Sequence, residues 1–255
     1  MRIVVAEDRQ QMGRYVARQA ASVLRSSLSQ KETVHLVVAT GASQFEVLSQ
    51  LVQQPDIDWG RVHGFHLDEY LGLDSTHPAS FVGYLQERFV KHVPIGSFFF
   101  LDGTQAPDLL LRQARNAVQN KPIDLLLCGI GENGHLAFND PPANFDSLDP
   151  YLIVQLDEAC RKQQVGEGWF DSLESVPKQA ISMSIRQIMK AATILCSVPD
   201  SRKAEAVRNS VEGPVTPLVP ASTLQQHANA HLVLDAASSQ LLSPKTLDRC
   251  ERLVV

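Results

Sequence analysis

LLLCGIGENGHLAFNDPP, residues Leu125–Pro142, changes character halfway along. The run Ile123–Cys128 reads as a buried strand. It breaks into three glycines, Gly129, Gly131 and Gly134, and then a cluster of polar groups: Glu132, Asn133, His135 and Asp140. The glycines let the backbone turn sharply and come close to a ligand. A histidine with a carboxylate to orient it is a general acid–base unit. A plain turn, with a solvated glutamate and a structural histidine, fits the spacing equally well. What lies before and after the stretch decides between them.

Outward from this point, strand-like and helix-like patterns alternate. Strands are expected at Arg2–Ala6, Val34–Ala39, Val62–Leu67, Phe98–Leu101, Ile123–Cys128, Ile153–Leu156, Ala180–Ser184, Thr193–Val198 and His231–Leu234. Helices are expected at Asp8–Ser27, with Met12, Val16, Ala20 and Val23 on one face, and at Ser43–Val52, with Ser43 as N-cap. Others fall at Pro78–Lys91, Pro107–Gln119 and Ser201–Asn209. This alternation predicts an α/β fold: a doubly wound, mostly parallel sheet with helices on both faces, Rossmann-like and three-layered, in a single domain over residues 1–255. Residues 141–150 and 165–177 are irregular and read as active-site loops.

In open α/β sheets, ligands bind beyond the carboxyl ends of the strands. Two more polar clusters fall at such ends. Asp68 is the first carboxylate after Val62–Leu67, in LDEYLGL. It suits abstraction of a carbon-bound proton, or simply the capping of a turn. Ala39–Gln44, ATGASQ, joins a strand to a helix start through small residues, and its free backbone N–H groups suit an anion such as phosphate. It lacks the Gly-Lys pair of a Walker A loop. GIGENG spells G-x-G-x-x-G, but it follows a late strand and carries a glutamate where a pyrophosphate would lie, so it makes a poor dinucleotide site.

Composition bounds the partners. With 44% hydrophobic and 20% charged residues and a net charge of −5, the chain reads as an ordinary soluble protein without a nucleic-acid surface. No apolar run approaches the roughly 18 residues of a membrane span, and MRIVVAEDRQ is unlike a signal peptide. The four cysteines show no metal spacing, so no metal is expected and a reduced, cytoplasmic setting is the simplest reading.

LDEYLGL, then HPASF, then GIGENGHLAFNDP resembles the glucosamine-6-phosphate deaminase (isomerase) family, and the likeness runs in order from ATGAS to VPDSRKAEAV. The related 6-phosphogluconolactonases share the fold and the glycine-rich turn, but AFNDP and DEYLGL put this chain on the deaminase side. The resemblance implies cofactor-free conversion of an amino-sugar phosphate into fructose 6-phosphate and ammonia. It implies that His135 opens the sugar ring, Asp140 orients His135, and Asp68 moves a proton from C2 to C1. It implies that Thr40, Gly41, Ala42, Ser43 and Lys203 hold the phosphate, with Arg202 turned away. Without it, Lys203 would read as an exposed helix charge.

Four departures stand out. Asn133 occupies a position that is aspartate in many members, Asp140 one that is glutamate, and TGAS one that is often TGGT. A basic residue is missing near Gly166–Phe170, with Arg161 and Lys162 as candidate substitutes. The resemblance leaves the sugar epimer open and leaves room for a homo-oligomer. A lactonase and a non-catalytic sugar-phosphate sensor are the rival readings. Retention of Asp68, His135 and Asp140 disfavours the sensor.

Overall fold

The structure is a computed structural model and describes residues 1–253. Eleven strands form two sheets. They are β1 (Arg2–Val5), β2 (Val34–Val38), β3 (Val62–His66), β4 (Asp68–Tyr70), β5 (Ser97–Phe99), β6 (Leu125–Cys128), β7 (Tyr151–Gln155), β8 (Gln179–Met183), β9 (Thr193–Val198), β10 (Ala230–Leu234) and β11 (Glu251–Arg252). The helices are α1 (Arg9–Leu28), α2 (Phe45–Leu51), α3 (Phe81–Arg88), α4 (Pro107–Val118), α5 (Glu158–Gly166), α6 (Ile185–Ile188), α7 (Ala204–Glu212), α8 (Ala236–Ser239) and α9 (Pro244–Leu247).

The main sheet has the order β11-β1-β10-β9-β6-β2-β3-β5, and every pair in it is parallel. Side chains alternate across it, as a strand period of two requires. On one face Leu36, Val38, Leu125, Leu127 and Val233 pack under α1, α2 and α3. On the other, Val37, Leu126, Cys128, Ile194 and Leu232 pack under α4 and α7. This is the expected doubly wound, three-layer arrangement. Each fully buried aliphatic side chain contributes about 1.5–3 kcal/mol.

Local signals explain the element ends. Asp8 caps α1, its side chain accepting from the Gln11 amide at 2.7 Å. The apolar stripe of α1 runs through Met12, Val16 and Ala20 to Leu24, one position beyond the expected Val23. Pro107 opens α4 in the first turn, where its missing N–H costs no hydrogen bond.

Three expectations change. Ser43 is not an N-cap: it lies inside a 3-10 turn, Ala42–Gln44, that precedes α2. The segments expected as strands at 153–156 and 180–184 leave the parallel sheet. As β7 and β8 they join β4 in a separate antiparallel sheet of order β4-β8-β7. Finally, α5 runs into the first two residues of the stretch 165–177 expected to be irregular, and it covers the aromatic cluster of Tyr70, Phe81, Phe138 and Phe170. No helix among the described residues is long and apolar enough to cross a membrane.

Candidate active site

From β2 the chain moves outward through β3 and β5 on one side, and from β6 through β9 and β10 on the other. The strand order therefore reverses between β2 and β6, and the loops after these two strands flank the crevice. They touch: a side chain at Gly129 would meet Ser43 Oγ at 2.6 Å, so only glycine lets the two turns close. Thr40, Gly41, Ala42, Ser43, Asp68, His135 and Lys203 all line the one cavity formed there. Segments far apart in the chain thus converge as the sequence reading expects.

His135 is seated by its own turn. Its ring lies over Gly131, where an added Cβ would fall 2.1 Å from the imidazole. Its backbone N–H donates to Asn133 Oδ1 at 3.1 Å. Its Nδ1 lies 3.0 Å from Asp140 Oδ1. Asn133 and Asp140 stand behind the ring. Asn133 Nδ2 donates to Asp140 Oδ1 at 3.0 Å and to Asp157 Oδ2 at 3.1 Å. An amide therefore bridges two carboxylates, a role an aspartate could not fill. The Asp157 N–H in turn donates to Asp140 Oδ2 at 3.0 Å. Burial alone would raise the Asp140 carboxyl, but the His135 imidazole, the Asn133 amide and the Asp157 N–H together hold it below the usual carboxylate range.

Asp68 does not simply follow a strand. It begins β4, where it pairs with Ser182. Burial, reinforced by the neighbouring Glu69 charge, pushes its carboxyl well above the usual range. Glu69 points away from the cavity to accept from the Tyr70 and Val82 amides, both at 2.8 Å, and from Ser80 Oγ at 3.1 Å. Burial outweighs these bonds and pushes its carboxyl up to about 7.

Three cations also line the cavity: Arg9, Arg202 and Lys203. Arg202 lines the wall and is not turned away as expected; it pairs with Asp200 at 3.0 Å and approaches Glu132 at 3.7 Å. Arg161 and Lys162 do not replace the missing basic residue. Arg161 is spent on the Leu173 and Val176 carbonyls, and Lys162 pairs with Glu158 in solvent. Sequence reasoning missed Arg9, Asp157, Gln163 and Glu167. Asp157 lies at a helix start, where an acidic residue is common for local reasons, and Arg9 lies in the first turn of α1 beside the acidic cap Asp8. Glu167 sits in a segment without periodicity.

His135, Asp140 and Cys160 each bring a ligand-type atom within 4.8 Å of the others. They fit a metal poorly. Burial and the nearby Asp140 charge push the Cys160 thiol up and keep it protonated, and Asp140 already accepts from Asn133 and Asp157.

A switch-point cavity lined by Asp68, His135 and three cations, set in a doubly wound α/β fold, is the molecule's candidate site. The chain belongs to the family of glucosamine-6-phosphate isomerases/6-phosphogluconolactonase, whose family model matches residues 7–233. It is 37% identical to the glucosamine-6-phosphate deaminase of Oenococcus oeni over 210 residues, covering 82% of this chain and 86% of that one. It is 34% identical to the deaminase of Lactobacillus delbrueckii subsp. bulgaricus, covering 95% of this chain and all of that one. Its fold matches a monomeric glucosamine-6-phosphate deaminase with a TM-score of 0.85 at 30% identity, covering 94% of this chain and 100% of that one. A 6-phosphogluconolactonase structure from Thermotoga maritima shares the fold, with a TM-score of 0.75 at 18% identity, covering 92% of this chain and 99% of that one.

Proposed function

We propose that this protein converts glucosamine 6-phosphate and water into fructose 6-phosphate and ammonia. The observation that carries this is the meeting of Asp68 with His135 in one cavity, with Asp140 directly behind the imidazole.

His135 moves the proton between the ring oxygen and the C1 hydroxyl, which opens the pyranose. Asp140 fixes the ring of His135. Asp68 then takes the proton from C2 and returns it to C1. A 1,2-shift needs one base that reaches both carbons, and a carboxylate between them meets that need. The raised affinity of Asp68 for a proton suits it to this transfer. The product of the shift is an imine at C2. Water adds to it and ammonia leaves. No step draws on a cofactor. In this reading Thr40–Ser43 and Lys203, which line the same cavity, hold the phosphate.

The test is incubation of the purified protein with glucosamine 6-phosphate and, separately, galactosamine 6-phosphate, with ammonia and ketose phosphate measured. Release of both products supports the reading and identifies the epimer. If neither sugar reacts while 6-phosphogluconolactone is hydrolysed faster than in buffer, the lactonase reading replaces it.

A further inference from the structure

The cavity lining beside Lys203 includes a fixed carboxylate. Glu167 Oε1 lies 3.3 Å from Lys203 Nζ, nearer than Glu132 Oε1 at 3.9 Å, and accepts from Gln163 Nε2 at 2.8 Å. Its Oε2 accepts from Trp169 Nε1 at 3.2 Å. Three donors thus hold one side chain that is only 8% exposed, too firmly for a chance surface contact. Lys203 is equally enclosed, at 10%. The two neighbouring cations are also matched. Arg9 pairs with Glu46 at 2.9 Å and donates to the Ala42 carbonyl, and Arg202 pairs with Asp200. Glu167 falls within the segment, 166–170, where the family resemblance led us to expect a basic residue. The sign of the charge is reversed at the place where a dianion is to be held.

We propose that Glu167 is a specificity-determining residue: a built-in anionic competitor for the substrate phosphate that neutralises Lys203 until the ester displaces it. A phosphate entering the cavity must separate Lys203 from Glu167 or bind beside a like charge. Either course weakens ground-state binding, and neither touches the carbons that react. Glu167 therefore acts on KM and leaves kcat alone. It also narrows the preference for phosphorylated over neutral sugars, because an unphosphorylated sugar meets no repulsion there.

The proposal rests on the amino-sugar-phosphate reading for its kinetic arm only. Glu167→Gln keeps the volume and retains an oxygen for Gln163 or Trp169. It should lower KM for glucosamine 6-phosphate about tenfold, with kcat changed less than about twofold. Unphosphorylated glucosamine should be handled as before. Inorganic phosphate, titrated by calorimetry into the free protein, should bind about tenfold more tightly to the variant. Glu167→Ala removes the carboxylate entirely and should move both constants the same way, which covers a Gln variant that fails to fold. An unchanged or higher KM, together with unchanged or weaker phosphate binding, overturns the proposal and makes Glu167 a positioner of Lys203. Tighter phosphate binding in a protein that deaminates no amino-sugar phosphate leaves Glu167 in this role and removes the proposed reaction.

Discussion

Asp140 Oδ1 lies 3.0 Å from His135 Nδ1, and both residues belong to the turn that follows β6. The pair is thus assembled locally, yet its setting is not. Asn133 from the same turn and Asp157 from the start of α5 complete the bonds around Asp140. The carboxylate is held ionised and lies against Nδ1 of the ring.

The proposed roles make ring opening by His135 and proton transfer by Asp68 separable by mutation. His135→Gln should slow the reaction of cyclic substrate by about 10²–10⁴-fold. It should slow the reverse reaction from fructose 6-phosphate and ammonia much less, because part of that ketose is already open and Asp68 is intact. Asp140→Asn should act in the same direction but more weakly, since the imidazole remains. Steady-state rates in both directions check this. Equal losses in the two directions would remove His135 from ring opening.

Asp68→Asn should leave binding of the phosphate ester unchanged while removing all but about 10⁻²–10⁻⁴ of the turnover. Asn keeps the volume but cannot take a carbon-bound proton. Exchange of the C2 hydrogen with deuterated water should fall in parallel. In the wild-type protein Asp68 must be ionised to act, and its carboxyl is raised by burial and by Glu69. The acid limb of kcat/KM should therefore lie above the ordinary carboxylate range near pH 4. A limb at the ordinary position would show that the catalytic base is a different, solvated carboxylate.

Asn133→Asp should be destabilising here, although aspartate is common at this position in the family. It would place a third carboxylate against Asp140 and Asp157 and remove both N–H donors. The expected loss is about 1–3 kcal/mol at pH 7, smaller at pH 5, where one of the three can take a proton. Urea denaturation at the two pH values measures it. Stability equal to wild type at both would show that the amide bridge contributes nothing.

Glu69 gives a pH dependence of stability with a definite sign. Its folded carboxyl titrates at about 7, above the unfolded value of 4.5. Between these limits the unfolded chain has lost the proton and the folded chain still binds it. Stability must therefore fall as pH rises through this window, by about 1.4 kcal/mol per unit from this group alone. Below pH 4.5 the contribution is flat. Glu69→Gln should flatten the slope of stability against pH between about 5 and 7, whatever it does to stability overall. An unchanged slope would mean that the Tyr70, Val82 and Ser80 donors keep Glu69 ionised in the fold.

The sequence by itself determined the layer plan and most of the site. Strand and helix periods are short-range, so Val34–Val38, Leu125–Cys128 and Thr193–Val198 announce their burial on both faces, and Asp8 and Pro107 mark helix starts. Motif order was enough to bring Thr40–Ser43, Asp68, His135 and Lys203 together, because parallel strands put the loops that follow them at one edge. Only the tertiary structure decided the rest. Three residues, Asp68–Tyr70, carry no period that distinguishes a strand from a turn, and pairing with β8 made them one. Whether Arg161, Arg202 or Arg9 reached the cavity depended on which carbonyl or carboxylate lay within range of a long, flexible side chain. The nearer carboxylate on Lys203 was likewise invisible until α5 and its following turn delivered Glu167, since charge pairing depends on distance in space and leaves no trace in spacing along the chain.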